Sequence, residues 1–140
     1  MLRVVNFLKV LSIILFLAIL LLVYAYSPVM VRLFENSSEL QLNRETFFYY
    51  SITVFVVINI VLLAFQKLYE HNIKREDVRG WVRGLGFVIN IYLTLIIGFI
   101  GVINNQTHLD TEGFAYLNYL GPFLIFSWFC GLFYLLYTKR

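Results

Sequence analysis

Three side chains that can bind a metal ion or move a proton stand close together in one segment of the chain. They are His108, Asp110 and Glu112. Structural zinc sites use four protein ligands, so three on a short polar segment are a weak signal for a metal. We therefore interpret this segment as a solvated loop, and we predict no metal site and no cofactor.

The chain has a single cysteine, Cys130, which stands within a long apolar stretch. Membrane thiol–disulfide oxidoreductases need cysteine pairs, so the sequence excludes that class. A lone cysteine in apolar surroundings is normally a small apolar filler, because its thiol is only weakly polar. This predicts that Cys130 is buried.

The positions of the charged residues determine the class of protein. The 11 basic and 8 acidic residues all lie outside four apolar stretches, which are Val10–Val31, Thr46–Gln66, Gly84–Leu109 and Gly113–Thr138. A helix needs about 20 mostly apolar residues to cross a bilayer core. The sequence therefore predicts an all-α membrane protein, with four transmembrane helices forming an up-down bundle and a single domain over residues 1–140. A soluble enzyme, a nucleic-acid-binding domain, a disulfide scaffold and a disordered chain are excluded.

These apolar stretches contain no Asp, Glu, Lys or Arg. Ionisable residues within the membrane mark proton relays, ion coupling and substrate sites. Small multidrug antiporters have a similar size and span number, but they depend on a membrane-embedded glutamate. Haem ligation would require histidines in the bilayer, whereas His71 and His108 are predicted in loops. The sequence thus predicts that the protein is not an enzyme.

The span boundaries follow from the charges and from one proline. The first span should end near Tyr26, because Pro28 disfavours helical geometry at Ser27. Its basic start and small residues also resemble a secretory signal. Pro28 would directly follow the cleavage site of such a signal, and a proline there is unfavourable for cleavage. We therefore expect the segment to be retained as a membrane anchor. Cleavage would leave three spans. The predicted spans are residues 4–26, 47–66, 84–103 and 114–137, with an external loop at 28–45 and a cytoplasmic loop at 67–83.

The loop charges predict an orientation through the positive-inside rule. With both termini cytoplasmic, the external loops carry only Arg32 and Arg44. The cytoplasmic side then carries the other basic residues, Arg3, Lys9, Lys67, Lys74, Arg75, Arg79, Arg83, Lys139 and Arg140. The composition, rich in Phe, Ile, Tyr and Asn and poor in Ala, is typical of an AT-rich genome. We expect a multi-pass protein of the bacterial inner membrane.

The third span carries a stripe of small and polar residues. Residues three or four apart share one face of a helix, and small residues allow close helix packing in lipid. We therefore expect this span to be the most buried. The stripe consists of Gly86, Asn90, Thr94, Gly98, Gly101 and Asn105, and the fourth span adds Ser127 and Gly131.

Three polar or thiol-bearing residues are predicted to form a layer at one depth. At a rise of 1.5 Å per residue, Asn59, Asn90 and Cys130 each lie about 10–13 Å from the basic residue that ends their span. An amide pair between Asn59 and Asn90 is therefore expected, and its main role would be to hold the helices together.

The first external loop has the pattern of a β-hairpin. Val29, Val31 and Leu33 alternate with other residues, a polar turn follows at 36–38, and residues 39–43 alternate again. Two strands alone are marginally stable, so the hairpin must rest on the helix ends or extend a partner's sheet. An exposed strand edge is a docking surface. The predicted partner-binding residues are Arg32, Glu35, Glu39, Gln41, Arg44, Phe47, Phe48, Tyr49 and Tyr50.

Two functions fit these observations. The first is a non-enzymatic membrane subunit that scaffolds or regulates a larger envelope complex, with membrane lipids and other membrane or envelope proteins as partners and no nucleic acid. The second is a binder or carrier of a small apolar molecule, such as a lipid or a quinone. Its uncharged cavity would be lined by Asn59, Asn90, Thr94 and Ser127. A channel for uncharged solutes would require oligomers.

Overall fold

The computed structural model describes residues 2–34, 39–104, 111–114 and 116–138. Within them are four helices that are each long and apolar enough to cross a membrane. The elements are α1 (Leu2–Tyr26), β1 (Met30–Arg32), β2 (Gln41–Asn43), α2 (Arg44–Glu70), α3 (Glu76–Ile103), a 3-10 turn (Thr111–Phe114) and α4 (Leu117–Thr138). The prediction of four helices that can each span a membrane, with a small hairpin after the first helix, is confirmed.

The connection between α2 and α3 is shorter than predicted. The sequence placed a loop at 67–83, but α2 continues to Glu70 and α3 begins at Glu76. The acidic residues Glu76 and Asp77 form the first turn of α3, where the helix dipole favours negative charge. Asp77 also accepts a hydrogen bond from the backbone N–H of Val78 at 2.9 Å. The end of an apolar stretch therefore marks a change in polarity here and not the end of a helix.

The fourth helix begins later than predicted. Phe114, its expected start, belongs to the 3-10 turn, and α4 begins at Leu117. Two glycines bring α4 close to α3. The backbone of Gly121 lies against the ring of Tyr92, and the backbone of Gly131 lies against the indole of Trp81, so neither position has room for a Cβ.

The third helix is the central one. In α3, 33% of the span is buried inside the protein, whereas the value for α4 is 11%. The expectation that the third span is the most buried is confirmed. Both α1 and α4 pack mainly on α3, and α2 packs on α3 and α1. The rings of Phe16 and Phe55 stack with their centroids 4.0 Å apart. The main apolar cluster contains Phe16, Leu20, Val23, Val31, Phe47, Phe55, Ile97 and Ile100.

The hairpin rests on the helices. Its strands are antiparallel, and Val31 pairs with Leu42. The Val31 side chain is fully buried and belongs to the apolar cluster, against which Leu42 also packs. The side chain of Asn43 then accepts a hydrogen bond from the N–H of Glu45 at 3.0 Å and caps the start of α2. Burial of one face thus gives this short hairpin the support that two isolated strands lack.

Candidate functional site

Three helices meet at a layer of buried polar side chains. Nδ2 of Asn59 donates to Oδ1 of Asn90 at 3.0 Å, and Nδ2 of Asn90 donates back to Oδ1 of Asn59 at 3.1 Å. Nδ2 of Asn90 also donates to Oγ of Ser12 at 3.2 Å. The amide pair expected from the sequence is therefore present. Ser12, which is 1% exposed, is the member that sequence reasoning missed.

The layer satisfies its own hydrogen-bonding groups. Both N–H groups and the oxygen of the Asn90 amide bond to residues of other helices. The hydroxyl of Thr94 donates to the backbone oxygen of Asn90 at 2.8 Å, within α3. The Asn90 amide thus makes three of the four hydrogen bonds that it can form, all of them to groups of the protein. This arrangement joins α1, α2 and α3, and its chemistry is structural.

The glycines of the α3 stripe differ in their surroundings. A Cβ at Gly86 would meet the Lys9 side chain at 3.0 Å, and one at Gly101 would meet Val23 at 2.7 Å. Both positions permit the close approach of α1. A Cβ at Gly98 would meet nothing within 4 Å, so its predicted role in packing is wrong for the residues that the structure describes. The predicted stripe therefore packs against α1 at Gly86 and at Gly101, but not at Gly98.

Two predicted site residues on α4 lie apart from this layer. Cys130 is exposed, and Ser127 is exposed too but lines a cavity between α1, α3 and α4. The helix turns its glycines and Trp128 toward α3, which leaves Cys130 on the opposite side. Trp128 exchanges hydrogen bonds with Trp81, which lies nine residues or about 13 Å from Asn90, and Cys130 lies two residues beyond Trp128, still farther from Asn90. The prediction that Cys130 is buried and shares the depth of the two asparagines is therefore wrong, whereas Asn59 and Asn90 do lie at one depth.

Two tryptophans join α3 to α4 by exchanging hydrogen bonds. Nε1 of Trp81 donates to the backbone oxygen of Trp128 at 2.8 Å. Nε1 of Trp128 donates to the backbone oxygen of Trp81 at 2.9 Å. An indole N–H that is removed from water needs such a partner. Nothing in the spacing of Trp81 and Trp128 along the sequence indicates this exchange.

A charged cluster packs between the helices near the α2–α3 connection. Glu70 and Arg83 form an ion pair, in which Nη2 of Arg83 donates to Oε2 of Glu70 at 3.1 Å. Their side chains are 17% and 21% exposed. Nζ of Lys9 donates to Oε1 of Gln66 at 2.8 Å. Glu70 and Arg83 fall within the predicted cytoplasmic loop at 67–83, but both lie within helices and face neighbouring helices.

The hairpin is held by one amide at the end of α3. Oδ1 of Asn104 accepts a hydrogen bond from the N–H of Arg32 at 2.7 Å, and Nδ2 of Asn104 donates to the oxygen of Arg32 at 2.7 Å. The same Nδ2 donates to the backbone oxygen of Ile100. Asn104 thus pairs with Arg32 as a neighbouring strand would. The expectation that this strand edge is free to dock a partner is wrong at Arg32.

The predicted partner-binding residues divide by exposure. Phe47 is 3% exposed and belongs to the apolar cluster, so its assignment to a partner surface is wrong. Arg44 and Phe48 are half-buried, and the Arg44 guanidinium lies 5.0 Å from the centre of the Tyr24 ring. Glu35 lies outside the described residues. The exposed members are Arg32, Glu39, Gln41, Tyr49 and Tyr50.

Three of the cavities between the described residues are half-open clefts, and neither Asn59 nor Asn90 lines any of the three. One of about 330 Å³ lies between α1, α3 and α4 and is almost entirely apolar. Another of about 310 Å³ lies between α2, α3 and the hairpin. A wider one of about 730 Å³ lies where the hairpin approaches α3 and the start of α4. The first cavity is lined by Val5, Leu8, Gly80, Trp81, Gly84, Phe87, Val88, Leu124, Ser127 and Trp128.

Metal chemistry has no candidate in the part of the chain that the structure describes, where no three His, Cys, Asp or Glu side chains come together. His108 and Asp110 lie outside that part. No family model matches the chain, and neither does any curated protein or solved structure.

Proposed function

We propose that this protein is a non-enzymatic membrane subunit that scaffolds or regulates a larger envelope complex of a bacterial inner membrane. Its hairpin lies outside, and its termini and the α2–α3 connection lie in the cytoplasm. The hairpin contacts a partner protein through its exposed side chains. The nine basic residues on the cytoplasmic side, against two outside, support this orientation.

Contacts between the helices support an up-down order. Ser12 meets Asn90, and eleven residues later in both helices Val23 meets Gly101, so α1 and α3 run in the same direction. On α2, by contrast, Asn59 meets Asn90 and the later residue Glu70 meets the earlier residue Arg83. The two glycine contacts give α4 the direction of α2 in the same way.

The observation that carries the proposal is the clamp on the hairpin. Asn104 binds both backbone groups of Arg32, and Val31 is buried beneath them. A contact surface binds more tightly when it is already ordered, because less conformational entropy is lost on association. The clamp blocks strand addition at Arg32, so the proposed contact uses side chains. Glu39, Gln41 and Tyr49 project from this fixed platform.

Site-specific photo-cross-linking in intact cells tests the proposal. A photoreactive residue at Gln41 is expected to form one discrete adduct with another membrane or envelope protein. The matched control is the same residue at Ile60, which is 59% exposed on the apolar surface of α2. Absence of any protein adduct at Gln41, or the same adducts at both positions, would contradict the hairpin's role.

A second function is favoured by the cavity between α1, α3 and α4. Its volume of about 330 Å³ and apolar walls suit an acyl chain or part of a quinone. Only Ser127 remains from the lining that the sequence predicted, because the asparagines bond to each other and Thr94 bonds within its helix. The ligand would therefore be held by packing, without an amide to orient it.

Filling this cavity separates the two functions. A Cβ at Gly84 meets only the Trp128 indole, at 3.9 Å, so Gly84→Leu places its side chain in the cavity without a backbone clash. Mass spectrometry of the purified protein should show that a retained lipid or quinone is lost in Gly84→Leu. It should persist in the control Gly98→Leu, which adds the same side chain in open space. Equal retention in both variants would exclude this cavity as the binding site.

A further inference from the structure

The two opposite faces of α4 have different partners. One face packs on α3 through Gly121, Trp128 and Gly131. The opposite face repeats at steps of four, three, four, three and four residues, the period of a helix-packing seam. Its aromatic members are 64–82% exposed. This surface, the α4 aromatic stripe, consists of Tyr119, Phe123, Phe126, Cys130, Phe133 and Tyr137.

Because of the position of α4 along α3, part of this stripe lies at the level of the lipid headgroups and not of the acyl chains. Trp128 lies beside Trp81, and Nη2 of Arg75 donates to the backbone oxygen of Leu135 at 3.1 Å. Phe133 and Tyr137 therefore stand at the level of the charged segment from Arg75 to Arg83. Charged side chains keep to the headgroup region, where acyl chains do not cover an apolar surface. Tyr137 has a hydroxyl group that suits the headgroup region, where tyrosines are common, whereas the Phe133 ring has no polar group to place there.

The outward face of α1 shows what lipid exposure alone requires. Its exposed apolar residues are mostly aliphatic, and they are Val4, Phe7, Val10, Leu11, Ile14, Leu15, Leu17, Leu21, Leu22 and Tyr26. In the α4 aromatic stripe, five of six positions are Phe or Tyr. Rings offer large rigid areas and attract one another by about 0.5–1.5 kcal/mol per pair beyond their burial. The contrast within one chain indicates that α4 contacts rings and not only acyl chains.

We propose that the α4 aromatic stripe binds the same stripe of a second copy, about a twofold axis along the membrane normal. The stripe carries no charge that a charged partner would complement. Its exposed rings amount to roughly 700 Å², close to the ~800 Å² per partner of a standard interface. A second copy has its α4 at the same depth, so it covers Phe133 and Tyr137 as well as Phe123. This pairing goes beyond the proposed function and does not depend on the hairpin's partner.

Cys130 allows the pairing to be tested in the natural sequence. It is the only cysteine, it is exposed, and it lies in the middle of the stripe, where the twofold axis brings two copies together. Purified full-length protein in phosphatidylethanolamine and phosphatidylglycerol vesicles would be treated with a short bismaleimide at low protein-to-lipid ratio. The expected product migrates at twice the 16.5 kDa of the chain.

Cysteines on other faces provide the controls. In a Cys130→Ser background, Leu21→Cys on α1 and Val57→Cys on α2 place a thiol on comparably exposed apolar surfaces. Their cross-linking yields should be at least about tenfold lower than that of Cys130. Equal yields at all three positions would mean random collision and would overturn the proposal. So would a Cys130 adduct that forms only with a different protein in native membranes.

A pair of phenylalanine variants tests the stripe itself. Phe126 on α4 and Phe7 on α1 are 67% and 66% exposed, so replacing either with leucine leaves the fold intact. Phe126→Leu should weaken dimerisation in the vesicles at least about tenfold, as measured by cross-linking at increasing lipid dilution. Phe7→Leu should have no effect. Equal dimerisation in the two variants would overturn the proposed interface, whatever the result of the hairpin experiment.

Discussion

Replacement of Asn90 by leucine perturbs the polar layer at its centre. The Asn90 side chain is fully buried and makes two hydrogen bonds with Asn59 and one with Ser12. Leucine has the same number and branching of side-chain heavy atoms but bulkier methyl groups, so the change removes the hydrogen bonds and opens no cavity, while it adds some overpacking. It also leaves the Asn59 oxygen without its donor, while Nδ2 of Asn59 still bonds to the backbone oxygen of Phe55.

The expected loss of stability follows from the number of bonds. Hydrogen bonds between membrane helices contribute roughly 0.6–2 kcal/mol each. Losing three of them should lower the free energy of unfolding of Asn90→Leu by about 2–6 kcal/mol. The double variant Asn59→Leu/Asn90→Leu should be less destabilised than the sum of the two single variants. Replacing both partners leaves no unpaired amide, and we expect a coupling energy of about 1–2 kcal/mol.

Unfolding in mixed micelles with increasing SDS measures these free energies. The matched control is Asn118→Leu, because Asn118 is exposed at the start of α4 and the chemical change is the same. The control should change stability by less than about 0.5 kcal/mol. If Asn90→Leu were as stable as the control, or if the effects of Asn59→Leu and Asn90→Leu simply added, the layer would not hold the helices together.

Three further changes test the other contacts. Gly131→Ala forces a methyl group against the Trp81 indole of α3 and should destabilise the protein by about 1–3 kcal/mol in the SDS titration. The control Gly98→Ala should be nearly neutral. Equal effects of the two substitutions would contradict the α3–α4 contact. Asn104→Leu frees the backbone of Arg32, and its amide hydrogen exchange, followed by mass spectrometry, should accelerate about tenfold; unchanged exchange would refute the clamp. Glu70→Gln weakens the ion pair with its arginine partner and should cost about 1 kcal/mol, an effect that high salt reduces; a salt-independent effect would contradict this origin.

The features that were predicted correctly follow from the cost of placing polar groups in an apolar environment. An amide in an apolar span needs a polar partner, so Asn59 and Asn90 were predictable as a pair from their depths alone. Alternation around a polar turn likewise predicted the hairpin. Both inferences depend on local patterns and on the cost of unpaired polar groups in an apolar medium.

The errors arose at lipid-facing positions, where hydrophobicity does not distinguish an exposed residue from a buried one. Lipid tails are as apolar as leucine, so a residue such as Cys130 has no need to be buried, and its polarity does not reveal which way it faces. Span boundaries read from charge also missed the helical turns that carry Glu70 and Arg83. Helices continue past the hydrophobic stretch wherever their charged residues find partners on neighbouring helices.

Long-range contacts were not predictable from spacing. Ser12 stands in an aliphatic run, and its bond to Asn90 depends on how far α1 is shifted along α3. The clamp by Asn104 similarly requires the end of α3 to lie beside the first strand. The position of α4 along α3, which exposes the aromatic stripe, is determined by where Gly121 and Gly131 allow rings to pack. Apolar stretches of similar length permit many such positions.

Labelling of single cysteines from the two sides of the membrane tests the central claim most directly. In a Cys130→Ser background, Gln41→Cys marks the hairpin and Asn72→Cys marks the α2–α3 connection, and both native side chains are exposed. A membrane-impermeant maleimide applied to intact spheroplasts should label only Gln41→Cys, and lysis should then allow Asn72→Cys to react. Labelling of Asn72→Cys in intact spheroplasts, or of both positions, would contradict a four-span subunit that presents its hairpin outside.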